Sequence, residues 1–85
     1  MKWKFYRIDP RMLKHHDVTW AKAYKYAKFM DAGASFPPVR VSPKIGGGYL
    51  VQDGAHRTMA AKLTGSRLLI KTKMDIRLSE RVEKA

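Results

Sequence analysis

The stretch from Tyr49 to Lys73 constrains the fold most, because it reads as strand, glycine turn, helix and strand in close succession. Tyr49-Leu50-Val51-Gln52 and Arg67-Leu68-Leu69-Ile70-Lys71-Thr72-Lys73 have strand composition, and the run from Thr58 to Leu63 is rich in helix formers and closes at Gly65. Such a crossover predicts neighbouring parallel strands, with the Asp53-Gly54 turn at the C-terminal end of a strand, where open sheets commonly bind ligands. Gly54 lets the backbone approach a ligand closely. A helix beginning near Ala55 points unpaired N–H groups and its positive dipole end outward, and Arg57 offers a forked donor. Gly54, Ala55, His56, Arg57 and Thr58 are therefore a candidate phosphate-binding set.

Other readings of the same residues stay open. An Asp-Gly pair before a helix is also an ordinary turn, with Asp53 as N-cap and Arg57 solvating the first turn. A carboxylate beside a phosphate repels it unless it caps the helix, holds a metal ion or accepts a ligand hydroxyl, so Asp53 is both a metal candidate and a catalytic candidate. His56 is the second catalytic candidate: it holds a phosphate oxygen, transfers a proton, or is a hydrogen-bonded helix residue without chemistry.

Towards the N-terminus, Trp3 and Phe5 alternate with Lys2 and Lys4 in a first expected strand, Lys2 to Ile8, which Asp9-Pro10 ends. Asp17 is the expected cap of a helix running to about Asp31 and stopping at Gly33. On it, Trp20, Ala23, Tyr24, Ala27 and Met30 recur at helical spacing and are expected to face the core. Lys22, Lys25 and Lys28, with Tyr26 and Phe29 near them, are expected to form a surface for nucleic acid or a partner protein. Phe36-Pro37-Pro38 forces an extended approach to Val39-Arg40-Val41, and the glycines after Ile45 predict a hairpin. These glycines lead into a strand rather than a helix, so turn chemistry explains them better than phosphate binding. His15-His16 reads as loop, since adjacent side chains point apart. The charged segment 75–85 suits a short surface helix or a frayed tail.

With 85 residues and no cysteine, the chain is expected to be one domain without disulfides, thiolate metal sites or a Cys nucleophile. No apolar run approaches a membrane span and charges break up the N-terminus, so no membrane association and a cytoplasmic location are expected. A formal charge of +11 points to a polyanionic partner, with nucleic acid foremost and a protein partner as the other option.

The order of elements, together with Pro37-Pro38-Val39-Arg40-Val41, Tyr49-Leu50-Val51, the Asp53-Gly54-Ala55-His56-Arg57 box, Ala60-Ala61 and Leu63-Thr64-Gly65, resembles the ParB/sulfiredoxin-like superfamily. The resemblance spans Lys2 to Lys73 and implies an α+β domain with a mixed sheet of about four strands and two or three helices. It also implies a nucleoside triphosphate or diphosphate, ATP or CTP, with Mg2+, held at Gly54, His56 and Arg57. Ala55 stands where sulfiredoxins carry their catalytic Cys, so sulfinic acid reduction by that route is excluded. The length leaves no room for the DNA-reading and dimerisation domains of a complete ParB protein. The leading expectation is a ParB-like nucleotide-binding module with a basic surface for nucleic acid, with or without NTPase or phosphotransferase activity. The alternatives are a metal-dependent ParB-like nuclease and a non-enzymatic phage or plasmid protein that binds a host partner.

Overall fold

The computed structural model describes residues 2–85. β1 (Lys4–Ile8) is followed by a 3-10 turn (Pro10–Met12), β2 (Leu13–Lys14), α1 (Trp20–Asp31), β3 (Val39–Pro43), β4 (Tyr49–Asp53), α2 (Ala55–Thr64), β5 (Leu68–Thr72) and β6 (Val82–Lys84). The strands form one mixed sheet in the order β2-β4-β3-β5-β1-β6. It has six strands where about four were expected, because Leu13–Lys14 adds a short parallel edge to β4 and Val82–Lys84 adds an antiparallel edge to β1.

The expected parallel crossover is not formed. β3 lies between β4 and β5, antiparallel to the first and parallel to the second, so β4 and β5 run in opposite directions and do not touch as neighbours. The cause is local. A tight connection closes β3 onto β4, with Lys44 N–H donating to Gly48 O and Gly47 N–H to Lys44 O, both at 3.0 Å. Gly46, Gly47 and Gly48 all take positive φ there. With β2 on the far edge of β4, the vacant edge for β5 is that of β3.

The sheet buries one face. Cross-strand registers place Tyr6 opposite Ile70, Ile8 opposite Leu68 and Val82, Val39 beside Ile70, and Val41 opposite Val51, and all of these are buried. The inward residues of β1 are thus Tyr6 and Ile8, not the aromatics Trp3 and Phe5, which are 38% and 43% exposed. Period-two alternation was legible but its phase was not, since Tyr6 offers an apolar ring to either face. The Tyr6 hydroxyl finds its partner inside, accepting from the Ile76 N–H at 3.2 Å. That bond and the burial of Ile76 and Val82 show why 75–85 is neither a helix nor a frayed tail: two apolar side chains pull it onto the sheet.

α1 starts at Trp20 with Thr19 as its N-cap, so Asp17 lies ahead of the helix and does not cap it. Only Ala23 and Ala27 of the expected stripe are buried, with Met30 partly so; Trp20 and Tyr24 are 53% and 56% exposed. α1 packs chiefly on α2, whose buried residues are Thr58, Ala60 and Ala61. Small side chains on both helices let the two backbones approach, which leaves the large rings at the margin of the contact. At the other end of α2, Lys62 Nζ donates to the Leu13 carbonyl at 3.1 Å, and burial holds its ammonium below the ordinary lysine value.

Asp9 fixes the corner after β1. Its carboxylate accepts from the Arg11 backbone N–H at 3.0 Å and from the Arg11 guanidinium at 2.7 and 3.1 Å, and its pKa falls from 3.8 to about 2, the side-chain bond being the larger cause. A carboxylate with a lowered folded-state pKa contributes stability that is complete above its unfolded value and is lost as pH falls through the folded one. Asp9→Asn is therefore expected to lower the urea midpoint at pH 7, with the gap to the parent chain closing between about pH 4 and pH 2.

Candidate functional site

The site is built where β4 ends. Asp53 is the last residue of the strand, Gly54 turns the chain with φ +111°, and α2 begins at Ala55. No side chain caps the helix, so Asp53 is not the N-cap that a bare turn reading requires. The Thr58 N–H already returns to the Gly54 carbonyl at 2.9 Å. The amides of Ala55, His56 and Arg57, the first turn of the helix, have no intrahelical acceptor to reach.

Arg57 lies against the turn that it follows. Its Nη1 donates to the Pro37 carbonyl at 2.6 Å and its Nη2 to Asp53 Oδ2 at 3.4 Å, and its side chain is only 13% exposed. A Cβ on Gly54 would sit 2.8 Å from Val39 Cγ2 and 2.9 Å from Arg57 Nη2. The glycine therefore serves two ends, a left-handed backbone and the space into which the guanidinium and Val39 pack. Asp53 keeps its carboxylate outside, 72% exposed, and the Arg57 contact at 3.4 Å is long for a charged hydrogen bond.

His56 joins the two helices. Its Nε2 accepts from the Thr19 N–H at 3.0 Å, which gives the uncapped start of α1 an acceptor and leaves Nδ1 as the donor of the ring. Tyr26 stands edge-on to the imidazole, with centroids 6.4 Å apart, and also packs on Phe36 at 5.5 Å. Of the five phosphate candidates, Gly54, Ala55, His56 and Arg57 share one partly exposed turn, whereas Thr58 is fully buried. The Thr58 hydroxyl donates to the Gly54 carbonyl at 2.9 Å and so braces the turn from within. Its position three residues inside the helix, on the face that also carries Ala61, was the signal for burial.

The candidate interaction surface on α1 divides similarly. Lys22, Lys25, Lys28 and Phe29 are exposed, whereas Tyr26 is half-buried between Phe36 and His56. Lys22 lies 5.7 Å from the Tyr26 centroid and Lys25 lies 6.0 Å from that of Phe29. Trp20 and Tyr24, assigned to the core by their spacing, join the exposed set as a tilted pair with centroids 5.9 Å apart. The signal was present in Ala23 and Ala27, an i, i+4 pair of small residues that marks the side of closest helix approach. Among the described residues no three His, Cys, Asp or Glu side chains come together as a metal site.

A sulfiredoxin from Arabidopsis thaliana superposes with a TM-score of 0.60, at 14% identity, covering 86% of this chain and 85% of that one. The fold is sulfiredoxin-like. No family model matches the chain, and no curated protein sequence does. The sulfiredoxin-like framework thus carries the Asp53-Gly54-Ala55-His56-Arg57 turn at the junction of β4 and α2. Among the described residues no helix is long and apolar enough to cross a membrane.

Gly54→Ala is expected to be the most damaging single-methyl change in this region. It combines a strained positive φ with overpacking against the buried Val39, a cost of about 3 kcal/mol. Thermal unfolding then shifts down by on the order of 15 °C for a domain of this size. Gly47→Ala at the hairpin tip, where a Cβ meets nothing within 4 Å, carries only the backbone strain and is expected to shift the midpoint far less.

Proposed function

We propose that this chain binds the phosphate groups of a nucleotide at the start of α2, with its cationic surface engaging nucleic acid. The observation that carries the reading is the set of amides on Ala55, His56 and Arg57, directed out of an uncapped helix end behind a left-handed glycine. Amides aligned in this way, with the dipole of a ten-residue helix behind them, favour a bound anion. The side chains have different parts. His56 and Arg57 are already engaged with Thr19 and with Pro37, so they fix the turn, Arg57 lends it positive charge, and the backbone supplies the direct contacts. Asp53, exposed at the rim, would meet a magnesium ion carried by the nucleotide, which supplies charge neutralisation of the phosphates when bound.

The nucleic acid arm of the reading rests on α1. Lysines at 22, 25 and 28 share that helix with exposed Trp20, Tyr24 and Phe29, and cations interleaved with rings suit a backbone and its bases. Nuclease action gains no comparable support, since phosphodiester cleavage with two metals calls for several convergent carboxylates.

The test is a thermal and calorimetric titration against ATP, ADP, CTP and GTP with magnesium. A ligand at a hundredfold excess over its Kd stabilises the fold by about 2.7 kcal/mol, which raises the melting temperature by on the order of 10 °C. Asp53→Asn is expected to tighten binding in EDTA, by removing a repulsive charge, and to abolish the gain from magnesium. Absence of a shift with all four nucleotides overturns the reading.

A further inference from the structure

The sheet has a second face, and its composition is unlike that of a solvated surface. Registers pair Phe5 with Lys71 and Arg7 with Leu69 across β1 and β5, and place Arg40 beside Lys71 across β3 and β5. These residues alternate with the buried Tyr6, Ile70 and Val39 and so point the other way. Trp3, just ahead of β1, has the ammonium groups of Lys71 and Lys73 each 4.9 Å from its ring centroid. Trp3 and Phe5 remain 38% and 43% exposed.

Ion pairs among the described residues join Lys4 to Asp75, Arg11 to Asp9 and Arg57 to Asp53. Arg7, Arg40, Lys71 and Lys73 thus crowd one face with no ion pair to a carboxylate, although Glu83 lies opposite Arg7 and Asp53 opposite Arg40 in register. Beside Trp3 a groove of about 220 Å³ runs between Arg40, Ser42, Gln52 and Lys73. Its amide and hydroxyl are bonded to each other, Gln52 Nε2 donating to Ser42 Oγ at 2.6 Å, which leaves the Gln52 carbonyl as an acceptor.

We propose that this sheet face binds a single-stranded nucleic acid, with bases stacking on Trp3 and Phe5 and phosphates meeting Arg7, Arg40, Lys71 and Lys73. Two partly exposed rings on a rigid sheet, ringed by unpaired cations, match the combination that single strands need and that a duplex, with its bases already stacked, cannot use. An acidic protein would satisfy the cations but would have no use for the rings. The site is separate from the α2 turn, and neither reading depends on the other.

The experiment uses the full chain carrying Trp20→Phe, so that Trp3 is its sole tryptophan, titrated with a short oligothymidylate while tryptophan emission and anisotropy of the labelled strand are followed. Expected results are quenching of Trp3 on binding and a weakening of about tenfold in Trp3→Ala, with Trp3→Phe retaining most of the affinity. Lys71→Gln and Lys73→Gln are expected each to reduce the slope of log K against log salt by roughly 0.7. Thermal midpoints of the variants verify that they fold. The readout is the emission of Trp3 itself, so absence of nucleotide binding at α2 would not count against the sheet. Unquenched Trp3 together with undiminished binding by Trp3→Ala overturns the proposal, as does equal affinity and equal quenching with duplex DNA or polyglutamate.

Discussion

The reach of Arg57 back to the Pro37 carbonyl is the contact on which the arrangement of this domain depends. Three pieces of chain meet there: the proline segment leading into β3, the glycine that ends β4, and the first turn of α2. Pro37 and Pro38 have no N–H to give, so their carbonyls are the groups at this corner that need a partner, and a guanidinium satisfies them while half-buried. Gly54 makes the contact feasible because a larger residue would occupy the space of the guanidinium and of Val39. The same residue that looks like a phosphate ligand in the sequence is thus first a brace. Its positive charge still lies against an uncapped helix end, so bracing and anion attraction act together.

Much of this was legible in the residues, and what was not has identifiable causes. The hairpin, both helices, the strands β1, β3, β4 and β5 and the turn before α2 follow from glycine placement, proline pairs and apolar periodicity. Strand order did not follow, because which edge receives β5 is decided by hairpin closure between β3 and β4 and by the two residues of β2, features of tertiary pairing rather than of local pattern. The phase of β1 did not follow either, because Trp3, Phe5, Tyr6 and Ile8 are all apolar enough for either face. The C-terminal strand was hidden for the opposite reason: Ile76 and Val82 are single apolar residues in charged surroundings, and two isolated hydrophobes do not form a period.

The candidate site was legible as a location and less so as a set of roles. A glycine, a helix start and a basic pair identify the turn, but spacing cannot say that the Thr58 hydroxyl points inward or that the His56 imidazole reaches Thr19 thirty-seven residues away. The α1 stripe failed in an instructive direction. Ring size argued for burial, yet burial went to Ala23 and Ala27, since a two-helix contact lined with alanine and threonine admits no tryptophan. Aromatic residues displaced from a core in this way become exposed among lysines.

The charge of the chain acquires a shape from these same constraints. Three of its seven carboxylates have fixed duties: Asp9 at a corner, Asp75 on Lys4, Asp53 beside Arg57. Cations elsewhere are left to face solvent or aromatic rings, on α1 and on the open side of the sheet. A ring accepts a cation through its face without neutralising it, so Trp3 orders Lys71 and Lys73 while leaving their full charge available to a third party. A carboxylate in the same place would have stabilised the pair in isolation and cancelled its field. The choice of tryptophan over an acid at that position therefore makes the sheet face a preorganised positive surface with an aromatic floor, and it does so at little cost to the fold, because Trp3 lies outside the buried layer.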